Sequence, residues 1–312
     1  MFDPAQLRAL SAVLRTGSFE AAAADLGVTP SAVSQRIKAL EDRAGAVLVI
    51  RAAPCRATAA GRRLARLSDE IGLLAASAAR ELGLQSGDAP PAVRIAVNAD
   101  SLATWFMPAL AATPGLLFDI VVDDQDHSAS LLRAGEVSAA VTGHPGAVQG
   151  CDSLPLGALR YLATAAPGFV AAHLAGGVTA AALARAPGLT FNAKDRLQAR
   201  WLDMVFGQTG GYRSHMLPSA TAFVEAALSG LGWGMNPEPL VRAHLDAGRL
   251  VELVPGTPWD VPLYWQVSRM TAGALLPLTR AAAAAALVPP GDAPPPGRGR
   301  TLDAIMRRRP PG

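Results

Sequence analysis

Apolar residues recur every three or four positions in the first part of the chain, and glycines interrupt the pattern at regular intervals. This periodicity predicts three short helices, at residues 4–16, 19–26 and 30–44. A glycine follows each of them, where a residue in the left-handed conformation can end a helix. Ser18 and Thr29 are expected N-caps, and Pro30 fits a first helical turn. The tight turn between the second and third helices indicates a helix-turn-helix.

The third predicted helix has two contrasting faces. Its apolar stripe is narrow on the helical wheel and consists of Val33, Ile37, Leu40 and Ala44. The opposite side carries Ser31, Ser34, Gln35, Lys38 and Asp42, with Arg36 on one flank. In a helix-turn-helix the N-terminal part of the second helix enters the major groove, where such side chains read bases or hold phosphates. Taken alone, the same face also fits an ordinary solvated helix.

The stretch VLVIRAAPCRATAAG, shortly after the third helix, predicts a two-stranded wing. It contains a short apolar strand, a proline-containing turn and a threonine that starts a new helical run. Arg51 and Arg56 would extend from the wing toward a phosphate backbone. The charge agrees, since residues 1–66 hold ten Lys/Arg against five Asp/Glu, whereas residues 67–288 hold thirteen against eighteen. We therefore expect an anionic partner at the N-terminal end.

The segment GSFEAAAADLGVTPSAVSQRIKALEDRAGAVLVIRAAPCRATAAG resembles the DNA-binding domain of the LysR-type transcriptional regulators. It shows the family's GSF…AA…L run, its SAVS…I..LE…G helix, a strand ending in arginine and a T..G step, all at the family's spacing. Within the family, VLVIRAAPCRAT resembles the branch that regulates lysine and arginine export, whereas most members have Leu-Phe before the wing arginine. The candidate DNA-binding residues are Ser18, Thr29, Pro30, Ser31, Ser34, Gln35, Arg36, Lys38, Arg51 and Arg56.

A single long helix is predicted from residue 59 to residue 82. Its apolar positions follow a nearly heptad spacing: Leu64, Leu67, Ile71, Leu74, Ala78 and Leu82. Such a seam fits either packing on the helix's own domain or a dimer contact, and the resemblance implies a linker-helix dimer. A dimer would place two recognition helices one helical turn of DNA apart, or a multiple of it, on an inverted repeat. We divide this part into a winged helix-turn-helix (1–58), a linker and dimerisation helix (59–85) and a hinge (86–92).

Strands and helices alternate from residue 93 onward, which predicts an α/β architecture with parallel strands. The resemblance implies a periplasmic-binding-protein-like effector domain at residues 93–288. Its first subdomain would comprise residues 93–163 and 268–288, and its second residues 164–267. The tail at 289–312, rich in Pro, Gly and Arg, is expected to be disordered.

Candidate effector residues follow from the rule that ligands bind beyond the carboxyl ends of strands in such sheets. A helix start with free N–H groups, suited to a carboxylate, carries Asp100, Ser101 and Thr104. A second strand end, whose acids could hold an ammonium or guanidinium group, carries Asp123, Asp124, Asp126 and His127. Matching positions hold Thr142, Phe191, Asn192, Pro218 and Ser219. Each of these could also be a simple cap or turn residue.

Other classes of protein find little support in the sequence. There is no uninterrupted run of ~18 apolar residues and no signal-peptide pattern, so we expect a cytoplasmic protein without a membrane span. Cys55 and Cys151 are far apart and are expected to be free thiols. No G-x-S-x-G, H-E-x-x-H, C-x-x-C or P-loop motif occurs, and we expect no enzyme activity, catalytic residue, cofactor or metal.

Together with these patterns, the resemblance implies a sequence-specific LysR-type regulator of transcription that responds to a small effector, lysine or arginine, and acts on an amino acid exporter gene. The expected partners are double-stranded DNA with an inverted-repeat operator, the effector, further copies of the chain in a homodimer or homotetramer, and RNA polymerase. The alternative is an effector-independent DNA-architectural or replication-origin-binding protein. An enzyme with a vestigial helix-turn-helix is a third, weaker hypothesis.

Overall fold

The computed structural model of the 312-residue chain describes residues 2–84, 90–123, 128–207, 211–285 and 287. Its N-terminal part consists of short helices, a small hairpin and a long helix: α1 (Pro4–Thr16), α2 (Phe19–Asp25), α3 (Pro30–Ala44), β1 (Val49–Ile50), β2 (Arg56–Ala57) and α4 (Ala59–Glu81). The helix bounds agree with the prediction, except that α2 and α4 each end one residue earlier.

Local capping explains where these helices begin and end. The Ser18 hydroxyl accepts a hydrogen bond from the Ala21 N–H at 3.0 Å, and the Thr29 hydroxyl accepts one from the Ala32 N–H at 3.2 Å. Gly17, with a φ of 76°, ends α1 in the left-handed conformation. The buried core of this part joins α1 and α2 to the predicted stripe of α3: Leu7, Leu10, Val13, Ala22, Val33, Ile37 and Leu40.

The C-terminal part begins with three strands and the helices between them: β3 (Ala92–Val97), α5 (Ala99–Ser101), a π-helical segment (Leu102–Phe106), α6 (Met107–Ala111), β4 (Leu117–Val122), α7 (Ser128–Arg133) and β5 (Ala139–Thr142). It continues with β6 (Cys151–Ala165), α8 (Pro167–His173), α9 (Ala180–Arg185), β7 (Gly188–Thr190), α10 (Leu197–Phe206), β8 (Ser214–Met216) and α11 (Ala220–Leu228). It ends with β9 (Gly234–Pro237), α12 (Glu238–Asp246), β10 (Val251–Glu252), β11 (Trp259–Ser268) and α13 (Leu276–Ala283).

The strand pairing corrects one prediction, because only part of the sheet is parallel. Strand β3 runs parallel to β4 and β5, and β7 runs parallel to β8. The pairs β6–β9, β6–β10, β6–β11 and β5–β11 are antiparallel. An alternation of strands and helices indicates an α/β architecture, but it does not determine which strands become neighbours.

Two long strands connect the groups of shorter ones. Strands β6 and β11 pair along ten positions, from Cys151–Ser268 at one end to Tyr161–Trp259 at the other, with an irregularity between Leu263 and Tyr264. One end of β11 pairs with β5, while the far end of β6 pairs with β9 and β10. We call β3, β4 and β5 the first strand group and β9 and β10 the second strand group. The predicted domain boundaries stay predictions.

Helix α4 packs against both parts of the chain. Leu64 and Leu67 are partly buried against the N-terminal core, and Leu73, at 2% exposure, lies in the core of the C-terminal part. In contrast, the predicted seam residues Ile71 and Leu74 keep 40% and 39% of their surface exposed. The seam is therefore covered by the chain itself near its start and is uncovered farther along.

Several predictions concern residues outside the described ranges, namely most of the hinge and the tail at 289–312. Cys55 and Cys151 are unpaired thiols, as expected. Within the described ranges, none of the helices has both the length and the hydropathy needed to cross a membrane.

Candidate functional site

The exposed face of α3 brings together the side chains expected to read DNA. Ser31, Gln35 and Lys38 are exposed, and Ser34 and Arg36 are half-buried. They lie opposite the stripe that seats α3 on the N-terminal core. Small hydroxyls, an amide and cations are thus presented on the N-terminal turns of a helix held firmly from behind.

The wing formed by β1 and β2 is attached to the turn between α1 and α2. The Cys55 N–H donates to the Gly17 carbonyl at 2.8 Å, and the guanidinium of Arg51 lies 4.9 Å from the centroid of the Phe19 ring. Arg51 and Arg56 are both exposed. Since a cation over an aromatic face is attracted by the ring quadrupole, Phe19 restricts the directions in which Arg51 can extend.

The remaining motif residues of this region hold the wing in place. The Glu41 carboxylate, on α3, accepts from the Leu48 N–H at 2.7 Å. The Thr58 hydroxyl donates to the Val47 carbonyl at 2.8 Å and accepts from the Gly61 N–H at 3.0 Å, which caps α4. The glutamate of the LE pair and the T..G step of the sequence are therefore explained by contacts between two helices and the wing backbone.

A cavity of about 200 Å³ lies in the C-terminal part, at the carboxyl ends of β3, β4 and β7. Its wall is completed by β6, β9, the loop before α10 and the starts of α10 and α11. The lining residues are Asn98, Ala99, Asp100, Val122, Asp123, Tyr161, Phe191, Asn192, Lys194, Asp195, Arg196, Leu197, Arg200, Ala220, Phe223, Met235 and Pro237. The cavity thus lies where the sequence predicted a ligand to bind.

Charges of both signs line this cavity. The acids are Asp100, Asp123 and Asp195, and the cations are Lys194, Arg196 and Arg200. Asp195 also holds its own loop, since its carboxylate accepts from the N–H groups of Phe191 and Leu197, each at 2.9 Å. A cavity with this lining can bind a zwitterion, because it offers partners to both an anionic and a cationic group.

Asp100 lines the cavity and has an altered acidity. The hydroxyl of Tyr161 donates to Asp100 Oδ2 at 2.7 Å. Burial raises the pKa of Asp100 to about 6, the hydrogen bond from Tyr161 works in the opposite direction, and the negative charge of Asp195 adds to the increase. The Asp100 carboxyl therefore changes its charge close to neutral pH.

Not every predicted effector residue lines the cavity. Asp100, Asp123, Phe191 and Asn192 do. Ser101 and Thr142 are fully buried and absent from its lining, and the Thr142 hydroxyl accepts from Gln266 Nε2 at 3.1 Å. The other predicted residues that are absent from the lining are Thr104, Pro218 and Ser219, while Asp124, Asp126 and His127 lie outside the described residues.

The sequence reasoning missed several lining residues: Asn98, Tyr161, Lys194, Asp195, Arg196 and Arg200. The run FNAKDR directly follows β7, so the same strand-end rule that selected Phe191 and Asn192 could have been extended to its charged members. Tyr161 lies inside β6 and had no comparable signal, because only the strand pairing turns it toward the cavity.

A winged helix-turn-helix, joined through a long helix to an α/β unit with a charged cavity, is the architecture of a ligand-responsive DNA-binding regulator. Residues 4–62 match the bacterial regulatory helix-turn-helix proteins of the lysR family, and residues 86–287 match the LysR substrate binding domain. The chain therefore belongs to the LysR family of transcriptional regulators.

Similar proteins resemble the chain over most of its length. The HTH-type transcriptional regulator LysG of Mycobacterium bovis is 46% identical over 284 residues, which cover 91% of this chain and 93% of LysG. The crystal structure of ArgP from Mycobacterium tuberculosis has a TM-score of 0.73 at 45% identity, covering 93% of this chain and all of ArgP.

A third relative comes from Corynebacterium glutamicum, whose lysine export transcriptional regulatory protein LysG is 41% identical over 289 residues, 91% of this chain and 98% of that protein. The structure of full-length LysG from this organism with bound effector Arg has a TM-score of 0.60 at 39% identity, covering 92% of this chain and all of LysG. The chain is thus a LysR-type transcriptional regulator that resembles LysG and ArgP.

Proposed function

We propose that the protein binds an inverted-repeat operator as a homodimer or homotetramer and controls an amino acid exporter gene in response to lysine or arginine. The observation that carries the effector assignment is the cavity with both acids and cations in its wall. The names of two relatives agree, one a lysine export regulator and the other a LysG with bound arginine. Because transcription takes place on the bacterial chromosome, we also propose a cytoplasmic location.

The charges of the cavity match those of a basic amino acid. Such an effector has one carboxylate and two cationic groups, so it needs at least one cation and two acids. We assign the carboxylate to Arg200 and Lys194, and the cationic groups to Asp100 and Asp123, because all four line the cavity. A volume of about 200 Å³ is below the ~300–1,000 Å³ of sites for drug-sized ligands, which suits a single amino acid.

DNA binding is assigned to the N-terminal part. Ser31, Ser34 and Gln35 would contact base edges from α3, with Lys38 and Arg36 beside them, because these side chains lie on its accessible face. The exposed wing cations would contact phosphates. Ser18 and Thr29 already cap helices with their side-chain hydroxyls. At these positions and at Pro30, a phosphate would therefore contact the N-terminal end of the helix rather than a free hydroxyl.

Oligomerisation is assigned to the exposed part of the α4 seam. Ile71 and Leu74 lie on one side of the helix and are uncovered by the chain itself. Pairing two such helices would remove this apolar surface from water and would bring two recognition helices onto one face of the duplex. We propose RNA polymerase as a further partner of the DNA-bound regulator.

A thermal-shift screen of the twenty amino acids tests the effector assignment. Lysine or arginine at a hundred times its Kd should stabilise the protein by about 2.7 kcal/mol, because a ligand that binds only the folded state adds RT ln(1 + [L]/Kd). Norleucine and citrulline serve as controls, since they keep the length of the side chain without its charge. If lysine, arginine and histidine all leave the melting curve unchanged, the effector assignment is wrong and the DNA-binding assignment remains.

A further inference from the structure

A hydrogen bond connects the two sides of the cavity. Asp100 directly follows β3 and therefore belongs to the first strand group. Tyr161 lies in β6, where its main chain pairs with Pro237 of β9 and Trp259 of β11, beside the second strand group. The bond from the Tyr161 hydroxyl to Asp100 Oδ2, at 2.7 Å, spans 61 positions of sequence and crosses from one side to the other.

Tyr161 is held rigidly enough to orient its partner. The residue is only 2% exposed, and strands on both sides fix the register of β6 at this position. Its hydroxyl has one proton to donate, whereas an ionised carboxylate can accept from about four directions. The bond therefore fixes the orientation of Asp100 and still leaves the carboxylate able to accept hydrogen bonds from a ligand in the cavity.

We propose that Tyr161 is a positioning residue that holds the Asp100 carboxylate in place for a cationic group of the effector. This inference rests on the proposed function, because it requires a cationic ligand in the cavity. The group bound is either the α-ammonium or the charged end of the side chain. Both would donate N–H hydrogen bonds to an ionised carboxylate, and neither would bind well to a protonated one.

The proposal implies that effector affinity depends on pH. Other charged groups around Asp100 are Asp123 at the end of β4, Asp195 and Lys194 in the loop before α10, and Arg196 and Arg200 at its start. Among the groups around the cavity, Asp100 is the one whose buried carboxyl accepts from Tyr161, and burial raises its pKa to about 6. Affinity should therefore be constant above this pH and should fall as the carboxyl becomes protonated below it, about tenfold for each pH unit.

Calorimetric titration of the full-length protein with arginine between pH 5 and pH 8 tests the proposal. In Tyr161→Phe the carboxylate loses the donor that stabilises its charge, so the midpoint of the pH profile should move upward by about one unit, with about fivefold weaker binding at pH 6. Asp100→Asn should bind weakly with a flat profile. Tyr264→Phe is the matched control, because Tyr264 is a buried tyrosine of the same sheet outside the cavity lining, and its profile should equal that of the wild type.

Two results would overturn the inference. One is a Tyr161→Phe profile with the wild-type midpoint, even if binding is uniformly weaker, because that pattern reflects a structural role only. The other is an Asp100→Asn protein with wild-type affinity and pH dependence. If circular dichroism shows that Tyr161→Phe does not fold, the result for Asp100→Asn alone tests the inference. If the wild-type protein binds no basic amino acid, the proposed effector is wrong as well. If the wild type binds arginine and the variants bind it with the same affinity and pH dependence, only the role of Tyr161 and Asp100 is wrong.

Two arginine analogues distinguish the two possible cationic groups. Citrulline keeps the α-ammonium and lacks the guanidinium, whereas 5-guanidinopentanoate lacks only the α-ammonium. If Asp100 holds the α-ammonium, Asp100→Asn should weaken the binding of citrulline and leave the affinity for 5-guanidinopentanoate unchanged. If it holds the side chain, the reverse should be seen, and a variant that weakens neither analogue would contradict the proposal.

Discussion

Gly61 is the position in α4 at which one added methyl group should disrupt the DNA-binding part. A Cβ atom placed there would lie 2.0 Å from the carbonyl oxygen of Leu48 and 2.9 Å from its carbonyl carbon. Both atoms belong to the wing backbone and cannot rotate away as a side-chain tip would. Gly61 has ordinary helical geometry, so alanine would be accepted by the helix itself and excluded only by the wing.

The cost follows from the contacts that must break. To increase the distance between the added Cβ and the Leu48 carbonyl oxygen from 2.0 Å to an ordinary contact of about 3.4 Å, α4 or the wing must move by roughly 1.4 Å. The Thr58 N–H bond to the Leu48 carbonyl, 3.0 Å long, and the Thr58 hydroxyl bond to the Val47 carbonyl, 2.8 Å long, would both be lost. Two hydrogen bonds at about 1 kcal/mol each and an overpacking cost of about 1–3 kcal/mol predict a destabilisation of about 3–5 kcal/mol for Gly61→Ala.

The protein offers separate signals for its two parts. All five tryptophans lie in the C-terminal part: Trp105, Trp201, Trp233, Trp259 and Trp265. In urea unfolding, tryptophan fluorescence therefore follows the C-terminal part, and far-UV circular dichroism follows both. Gly61→Ala should move the circular dichroism transition to lower urea and leave the fluorescence transition and the thermal shift with arginine in place.

Gly72→Ala is the control on the same helix. Among the described residues, no atom outside the adjacent backbone of α4 lies within 4 Å of the added carbon, so this substitution should stabilise α4 by up to about 1 kcal/mol through helix propensity. The reasoning is refuted if Gly61→Ala unfolds like the wild type, or if Gly72→Ala is destabilised to the same extent.

DNA binding and assembly provide two more predictions. Gln35→Ala should weaken the free energy of operator binding by about 1–3 kcal/mol and change binding to random duplex little. Arg51→Ala should weaken binding to both duplexes equally and reduce the slope of log affinity against log salt concentration by about one. Fluorescence anisotropy at several salt concentrations measures both effects, and equal, sequence-independent losses for the two variants would contradict the assignment. Leu73→Ala, in the C-terminal core, should lower the free energy of unfolding by about 2–5 kcal/mol. Leu74→Ala, on the exposed part of α4, should instead shift the oligomer toward monomer in sedimentation. If Leu74→Ala leaves the oligomeric state unchanged, α4 is not part of the interface.

The N-terminal part could be predicted almost residue by residue, because its signals are local. Ser18 and Thr29 cap helices with their own side chains, and Gly17 and Gly45 end α1 and α3 in the left-handed conformation. Each of these contacts joins positions only a few residues apart. A prediction from one sequence succeeds when the partners are close in that sequence.

The C-terminal part was predicted in outline only. The alternation of elements gave the α/β architecture and the strand ends at which the cavity lies. It did not reveal the long antiparallel pair of β6 and β11, because strand order depends on contacts between distant positions. For the same reason Ser101 and Thr142, which follow or end strands as Asp123 does, are buried and do not line the cavity.

By itself, the sequence determined the helix-turn-helix, the polar face of α3, the two wing cations and the family resemblance, since these depend on local spacing and residue type. Only the tertiary structure decided the character of the cavity. It brought the cations around α10 opposite the acids that follow β3 and β4, and it placed the Tyr161 hydroxyl on the Asp100 carboxyl. Burial then raised the pKa of a residue that the sequence presented as an ordinary aspartate at a helix start, because desolvation depends on everything that packs around a charge.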